Sequence, residues 1–562
     1  MTIDQMALLP AYVAAVTAVL VLLIDLFGPP RAVVAGTAAG ALLTAAAAAF
    51  VGTGPDRGSF CAGDACSYLA TNRAALAGVL FALLTLAVLA LSTPMLRAGA
   101  VPAGEYCFLL ACSMTGGVVL GAAGDLITLI VALETLTLPL YLLVGLRHSA
   151  SPHAVFTGAG APVHPEPSLE DGDVRLHAEE EVAAEQLRMR RAGADSAVTF
   201  FVVSVVATSV TLLGAALLYA ATGALHLSEL SAVLSGGALG TDPVGGGVLG
   251  SGAPGSAAAL IGAGSALLVA GLAFKVAAVP FHAWAPATYD GAPLPVAAYL
   301  STASKLGGVV ALLAVAGVLP LADTGRVLAV LAVLTMTVGN VVALRQTRTV
   351  RLLAWSSVAQ AGYILAPLGA LTLVAGAPGG FGPGPFPGGP LTGPAASGAA
   401  SLDPLVSAAL AYTAFFVLLE LAAFAAVVAL RPVAADGGDL ADFHGVARRA
   451  PWTGGMLAFA LIGLAGLPPA LAGLFAKVTV VRALVDGDAA WLALVVAVNA
   501  VIGLAYYVRV AALLYGTPTR DGSAGTGWSH VPWPVGAVLV TATVLAVLLG
   551  FAPNPLLNLT AL

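Results

Sequence analysis

Long apolar runs separated by short polar segments occupy most of the chain. A helix needs about 20 consecutive apolar residues to cross roughly 30 Å of hydrocarbon. Runs of that length predict fourteen membrane spans, beginning near residues 6, 32, 74, 105, 124, 196, 258, 292, 327, 352, 405, 452, 489 and 532. The pattern therefore predicts an all-α polytopic membrane protein. The first run has no basic segment before it and no cleavage site after it, so we interpret it as a retained span.

The composition excludes several classes of protein. Of the 562 residues, 59% are hydrophobic and 9% are charged, whereas soluble domains are about 25% charged. The sequence has no CxxC pair, no Rossmann or P-loop glycine pattern and no haem or iron–sulfur ligand set. The histidines of its acidic loop, His153, His164 and His177, lack zinc spacing. We therefore expect no cofactor on this chain and no nucleic-acid partner.

The placement of arginine predicts the orientation in the membrane. If the N-terminus is outside, the cytoplasmic side holds Arg31, Arg97, the run from Arg147 to Arg191, Arg345, Arg348, Arg351, Arg431, Arg448, Arg449 and Arg520. The other side then holds only Arg57, Arg73, Arg326 and at most one more, Arg482. Because cytoplasmic loops carry an excess of positive charge, this distribution predicts that both termini are outside.

Lysine is distributed quite differently from arginine. The chain has three lysines, Lys275, Lys305 and Lys477, and all three lie within apolar segments. A charge at membrane depth costs at least ~2.5–3.5 kcal/mol and usually faces a protein interior or a water-filled cavity. A buried lysine, unlike arginine, can lose and regain a proton near neutral pH. The three lysines therefore predict proton movement. The alternative is that Lys275, near the end of its run, snorkels to the interface.

Prolines interrupt two of the predicted spans close to a lysine. Pro280 follows Lys275 by five residues, and Pro468 and Pro469 precede Lys477. A broken helix at membrane depth is tolerated where it is packed in protein or lines a cavity. Two such breaks in separate halves of the chain indicate paired repeats, as in many transporters.

Two glutamates lie deep in apolar runs. Glu134 is about ten residues from either end of the fifth run, too far for its short side chain to reach water, and is therefore a candidate functional residue. The alternative is a structural acid satisfied by hydroxyls such as Thr135 and Thr137. Glu420 lies deep in the eleventh run without a neighbouring cation in sequence.

Other polar residues fall within or beside the same spans. Such residues either hold helices together or support a chain of water. With Glu420 they are candidates for a polar axis: His282, Ser301, Ser304, Ser357, Gln360 and Tyr363. Cys61 and Cys66, in a loop predicted to be outside, form either a disulfide or two free thiols. Cys107 and Cys112 are expected to be core residues.

Four stretches resemble one membrane-protein family. They are ALETLTLPLYLLVGL, FKVAAVPFHAWAPATYDGAPLPVAAYLSTASK, GNVVALRQTRTVRLLAWSSVAQAGY and FHGVARRAPWTGGMLAFALIGLAGLPPALAGLFAKVTVVRAL. On these residues the chain resembles the antiporter-like membrane subunits of proton-pumping NADH:quinone oxidoreductase, respiratory complex I. It is most similar to members that end soon after the fourteenth span, without a long lateral helix.

The resemblance implies an architecture and roles for the buried charges. It implies two inverted five-helix repeats with broken helices 7 and 12, divided as residues 1–95 (three helices), 96–320 (first repeat), 321–516 (second repeat) and 517–562 (last span). Glu134 would control Lys275 of the broken seventh helix. Lys305 would lie on the central axis, and Lys477 would lead outward.

The resemblance also implies a setting. The chain would lie in a bacterial cytoplasmic membrane beside an antiporter-like neighbour, small membrane subunits and lipid, while partner subunits would hold FMN and iron–sulfur clusters. Three positions depart from the family: Thr199 replaces a frequent lysine, Ala287 an expected aspartate, and Glu420 a usually neutral residue. The alternatives are a subunit of a multi-subunit cation/proton antiporter and a structural membrane scaffold.

Overall fold

The computed structural model describes residues 3–63, 65–146, 169–235, 254–371, 403–432, 435–517 and 531–560. Several positions used above lie outside these ranges: Arg147, Arg520, His153, His164 and the side chain of His177. Most of the two long stretches rich in glycine and proline lies outside them as well.

Helices make up nearly all of the described chain, which confirms the all-α class. In chain order they are α1 (Leu9–Phe27), α2 (Pro30–Gly52), α3 (Asn72–Arg97), α4 (Ala103–Gly121), α5 (Leu126–Gly145), α6 (Leu169–Thr222), α7 (Leu227–Ser235), α8 (Pro254–Lys275), α9 (Trp284–Gly291), α10 (Leu294–Tyr299), α11 (Lys305–Ala316), α12 (Leu321–Ala343), α13 (Thr349–Gly369), α14 (Asp403–Leu430), α15 (Val446–Arg449), α16 (Pro451–Ala465), α17 (Leu471–Asp486), α18 (Ala490–Leu514), α19 (Trp533–Phe551) and α20 (Asn554–Thr560). A π-helical turn, Leu300–Ser304, joins α10 to α11.

Within the described ranges, twelve helices are long and apolar enough to cross a membrane. Two of the fourteen predicted spans fall short of that standard. Helix α13 has 21 residues but carries more polar side chains, and α16 has only 15 because the chain breaks after it. The number fourteen and the two inverted repeats therefore remain predictions.

Two short strands among the described residues form a β-hairpin. Strands β1 (Arg57–Ala62) and β2 (Ala65–Ala70) pair antiparallel, with Cys61 opposite Cys66, and a disulfide joins these two cysteines. The Arg57 guanidinium binds the Asp4 carboxylate at 3.0 Å, which fastens the hairpin to the start of the chain.

The bundle has a clear centre. Of the apolar window in Leu294–Ala316, 89% is buried, whereas only 28% is buried in α1. Peripheral helices expose large apolar side chains such as Leu23 and Phe27, as expected for surfaces that face lipid or neighbouring subunits. Among these twelve helices, the one that carries Lys305 is therefore the most enclosed by protein.

Both predicted helix breaks are present. Helix α8 ends at Lys275, and the chain runs without regular helix to Trp284. The Trp284 indole donates to the Phe274 carbonyl at 3.1 Å, and the Thr335 hydroxyl accepts from the Val279 amide at 2.9 Å. These bonds satisfy backbone groups that the interrupted helix leaves free. The second break separates α16 from α17 and begins at Gly466, whose φ is +83°.

Candidate functional site

Lys275 and Glu134 form a direct ion pair inside the bundle. Lys275 is the last residue of α8, and its amine lies 2.7 Å from the Glu134 Oε1 on α5. The Lys275 side chain is 5% exposed and that of Glu134 is 20% exposed. Lys275 therefore does not snorkel to the surface, and a buried amine lies beside the carboxylate that could hold its charge.

Hydroxyl groups from two helices surround this pair. The Lys275 amine also donates to Ser204 Oγ at 3.0 Å and to Thr137 Oγ1 at 3.1 Å. The Thr208 hydroxyl donates to Glu134 Oε1 at 2.6 Å. Thr135 instead bonds the Val131 carbonyl, so neither threonine suggested from the sequence satisfies Glu134. These contacts give the Lys275 amine three acceptors and Glu134 Oε1 two donors.

Ser204 and Thr208 were not among the sequence predictions. They lie one helical turn apart on α6, and both contact the pair. The four-residue spacing of Ser204 and Thr208 was a usable signal, because residues i and i+4 share a helix face. Serine and threonine are common in membrane helices, however, and spacing alone does not identify which face meets a lysine. Thr199, on the same helix, is exposed.

Lys305 lies at the end of the π-helical turn and is 2% exposed. Its amine donates to the Ser357 carbonyl on α13 and lies 5.9 Å from the centre of the Phe416 ring. π-Helical turns occur frequently at functional sites. Lys305 and Val276, the residue after Lys275, line the same narrow apolar gap. The first ion pair and Lys305 are therefore neighbours without a direct polar link.

Glu420 on α14 lies beside Lys305. Its Oε1 accepts from the Ser301 hydroxyl at 2.7 Å, and the hydroxyls of Ser301 and Ser357 are 3.2 Å apart. Its other oxygen is buried and has no hydrogen-bond partner among the described residues. The charges of Glu420 and Lys305 interact. Glu420, Ser301 and Ser357 thus form one polar cluster beside Lys305.

The polar face of α13 extends this cluster toward the second break. Gln360 donates to the Leu464 carbonyl at 3.3 Å and to the Tyr507 hydroxyl at 3.0 Å. Ser356 shares a hydrogen bond with the same Tyr507 hydroxyl, and Tyr412 donates to Gln360 Oε1. Helix α13 therefore connects the surroundings of Lys305 to the end of α16.

Lys477 reaches back across the second break. Its amine donates to the carbonyls of Leu464, at 3.0 Å, and Ala465, the last residues of α16. The end of a helix carries partial negative charge and favours a cation. The amine also lies 5.6 Å from the centre of the Tyr363 ring. Among the described residues, no carboxylate forms a salt bridge with Lys477.

Two asparagines add polar contacts that the sequence did not suggest. Asn340 on α12 donates to the Tyr363 hydroxyl at 3.0 Å and to the Asn499 carbonyl at 3.1 Å, and it accepts from Tyr506 at 3.1 Å. Both asparagines are buried deep in apolar runs. Their depth was a usable signal, because a buried amide needs partners.

Two candidates do not join the lysines. His282 lies in the first break with its ring 5.1 Å from that of Trp355. Its contacts include no lysine of the site. Ser304 is buried in the π-helical turn but does not hydrogen-bond Lys305 among the described contacts. These two residues lie near the axis without forming part of its hydrogen-bonded chain.

An ion cluster lies where α13 begins, outside the membrane-spanning segments. Arg348 binds Asp290 at 2.9 Å and Asp436 at 2.8 Å, and Arg431 binds Asp436 at 3.0 Å. Burial raises the pKa of Asp290 above its ordinary value in spite of Arg348. Burial also acts to raise the pKa of Asp436, but hydrogen bonds from Arg348 hold that pKa below its ordinary value. Ala287 has no carboxylate, and Asp290 lies three residues after it.

Comparison with known proteins gives consistent matches. Residues 186–377 and 398–503 match the family described as NADH:quinone oxidoreductase/Mrp antiporter, transmembrane. NADH-quinone oxidoreductase subunit N of Salinispora tropica is 57% identical over 100% of this chain and 99% of its own length. Subunit N 2 of Streptomyces griseus is 36% identical over 99% and 93%. A chain of respiratory complex I from Thermus thermophilus, solved with bound aureothin, matches with a TM-score of 0.67 and 26% identity, covering 98% of this chain and 99% of that one.

Proposed function

The chain belongs to the subunit N family of proton-pumping NADH-quinone oxidoreductase, complex I, and from that premise we propose that Glu134, Lys275, Lys305 and Lys477 carry protons through it, from the cytoplasm to the outside. The observation that supports this most is the buried contact of 2.7 Å between Lys275 and Glu134. A buried charge pair in a membrane domain is costly and is most often functional. The redox energy that drives this proton transport must come from other subunits of the complex.

The first step is the opening of the Lys275–Glu134 pair. While the pair is closed, the carboxylate and the hydroxyls of Ser204 and Thr137 stabilise the charged amine. When the carboxylate moves away, the charged form of the Lys275 amine loses its anionic partner. Burial then disfavours that charged form, and the proton leaves. Tyr141, which donates to Ser204, lies in the same hydroxyl ring. Movement of one short side chain thus changes the affinity of the site for a proton.

The released proton then moves along the polar face of α13. It crosses the apolar gap between Val276 and Lys305, which requires transient water, and reaches the cluster around Ser357. From there Gln360 and Tyr507 lead to the Leu464 carbonyl, which Lys477 also contacts. Lys477 releases the proton on the far side.

The energies involved are of the right order. Moving one charge against 100 mV costs ~2.3 kcal/mol. A change of three pKa units corresponds to roughly 4 kcal/mol. Opening and closing a buried ion pair can produce a change of that size, so rearrangement of the pair is sufficient to move one proton against the membrane potential.

The source of the energy and the surroundings follow from family membership. We expect FMN and iron–sulfur clusters in other subunits, and an antiporter-like neighbour, small membrane subunits and lipid around this chain. The lipid-type surface of α1 and α2 agrees with such neighbours. The arginine distribution supports both termini outside a bacterial cytoplasmic membrane.

Lys305→Met tests the proposal. Methionine approximates the length of the lysine and is accommodated in irregular cores, but it cannot carry a proton. We expect the complex to assemble and proton pumping, measured as acidification by inverted vesicles in sodium-free buffer, to fall at least tenfold. Arg482→Met is the control, because Arg482 is 82% exposed and lies outside the axis. Pumping at the original level in Lys305→Met would show that the chain is only a scaffold at this position.

A further inference from the structure

Glu420 is the most enclosed acid described in the chain. Its exposed fraction is 0%, and it lies in the middle of α14, a 28-residue helix. The hydroxyl of Ser301 is its one hydrogen-bond partner, and Oε2 has none among the described residues. An ionised carboxylate normally needs several donors when it is taken out of water. Glu420 therefore occupies a site that supports its charge incompletely.

The cation that acts on Glu420 is Lys305. Among the described groups facing this carboxylate, Lys305 is the cation whose charge acts on it, and the phenols of Tyr289 and Tyr507 also lie within its electrostatic reach. The two groups do not form a direct salt bridge. They are linked instead through two serines: Lys305 donates to the Ser357 carbonyl, and Ser301 lies between the Ser357 hydroxyl and Glu420.

This arrangement has two protonation states of equal net charge. In one, a charged Lys305 lies near an ionised Glu420; in the other, a neutral amine lies near a carboxylic acid. Each charge alone would be costly in this enclosure, whereas both states keep the pair neutral overall. Exchange between them needs no change in total charge, so the centre of the protein can hand a proton over without a large electrostatic barrier.

We propose that Glu420 is a proton-exchanging partner of Lys305, so that this chain has a second glutamate–lysine pair at its centre. The inference rests on the proposed function and adds a carrier to it. The pair has the same chemistry as Glu134 and Lys275, but serine hydroxyls separate its two members.

The transfer balances as follows. The Ser301 hydroxyl gives its proton to Glu420 Oε1 and takes one from the Ser357 hydroxyl. The Lys305 ammonium, which donates to the carbonyl of the same Ser357, turns from that carbonyl to the Ser357 hydroxyl and gives it the proton that it lost. One N–H bond breaks, one carboxylic O–H bond forms, and the serines are unchanged at the end. Lys305 is then free to accept the next proton, while Glu420 passes its own toward Lys477.

Glu420→Gln tests the inference. Glutamine keeps the shape and an acceptor for Ser301 but cannot change protonation. We expect an assembled complex in which pumping falls at least tenfold, while Glu229→Gln, a half-exposed glutamate on α7, leaves pumping unchanged. Infrared difference spectra should show a carboxylic acid band in the wild-type complex that Glu420→Gln lacks and Glu229→Gln retains.

The outcomes separate this inference from the proposed function. If Lys305→Met stops pumping while Glu420→Gln pumps normally and keeps the band, the inference is wrong and the proposed function stands. If both variants pump normally, the proposed function fails as well. Should Glu420→Gln not assemble, Ser301→Ala decides, because it removes the linking hydroxyl and retains the carboxylate. Reduced pumping in that variant supports the inference, and unchanged pumping overturns it.

Discussion

The two broken helices hold their lysines in opposite ways. Lys275 is the last residue before the first break and binds the Glu134 carboxylate. Lys477 lies after the second break and binds backbone carbonyls at the end of α16. The first lysine thus has a partner that can move or lose its charge. The second has partners that are fixed in the backbone and keep only a partial charge.

On the proposed function, this difference would give the two breaks different tasks. A carboxylate on a neighbouring helix can be displaced by a small rearrangement, so the first break can respond to a signal. Carbonyls at a helix end offer a weaker and constant attraction, on the order of 1 kcal/mol. On the proposed function, Lys477 would hold a proton that it can pass on without a switch of its own. Control would then lie in the first half of the chain and release in the second.

Removing the carboxylate should have the largest effect. Glu134→Gln leaves the hydrogen bonds to Thr208 and Lys275 possible but removes the charge that balances Lys275. Loss of one partner of a buried pair costs about 3–5 kcal/mol, unless the lysine gives up its proton. We expect an assembled complex that unfolds at lower temperature and turns over poorly, measured as quinone-linked NADH oxidation and pumping.

The matched control is the double variant Glu134→Gln with Lys275→Gln. It has no unpaired buried charge, so part of the lost stability should return while pumping stays low. A single variant as stable as the double, with full turnover, would contradict the control role of Glu134. It would also remove the distinction between the two breaks.

Much of this comparison could be predicted from the sequence. Pro280 and the pair Pro468 and Pro469, each close to a lysine in an apolar run, indicated the two breaks. Glu134 was identifiable from its position deep in an apolar run. The partner of each lysine could not be predicted, because it depends on how distant helices pack. Ser204 comes from α6, and the carbonyls at Lys477 come from a helix end that any sequence would supply. Backbone acceptors leave no trace in a sequence.

A glycine at the second break gives a smaller and sharper test. Gly466 has a φ of +83°, and a Cβ there would lie 2.9 Å from Lys477 Cδ and 3.1 Å from its Nζ. Gly466→Ala should therefore displace the amine from the carbonyls of α16. We expect roughly 1–2 kcal/mol of lost stability from the left-handed backbone, together with several-fold slower pumping.

Gly99→Ala is its control. Gly99 also follows a helix, with a φ of +66°, but a Cβ there would meet nothing within 4 Å. Both variants should lose similar stability, and only Gly466→Ala should slow pumping. Equal pumping in the two would show that the position of the Lys477 amine does not matter for release.

The π-helical turn and the ion cluster at Arg348 mark the limit of prediction in another way. The sequence placed Ser301 and Lys305 on one span, but an extra residue in the helical turn depends on packing around it. Arg348 was used only to predict orientation, although it contacts Asp290 after the first break and Asp436 beyond α14. An arginine in a loop predicts a membrane side and does not predict which carboxylates will meet it.

The smallest expected effect concerns this connection between the two halves. Arg348→Gln removes the cation shared by Asp290 and Asp436, and charge-assisted hydrogen bonds contribute about 1.5–3 kcal/mol. We expect a loss of that order at neutral pH, measured as the unfolding temperature of the purified complex. Arg351→Gln, an exposed neighbour that acts on Asp290 only at longer range, should lose less.

The pH dependence of that loss gives the sharper measurement. Arg348 holds the pKa of Asp436 below its ordinary value of 3.8, so the stability this adds is present above pH 3.8 and disappears as the pH falls through the lowered pKa. Burial raises the pKa of Asp290, so its own contribution has the opposite sign and weakens as the pH rises through that raised pKa. In Arg348→Gln both acids lose the Arg348 cation, although Asp436 keeps its contact with Arg431, and both protonate at higher pH than in the wild type. The stability difference between wild type and variant should therefore be largest near neutral pH and shrink on acidification. A difference that stays constant down to pH 4 would show that Arg348 joins the halves by packing and not by charge.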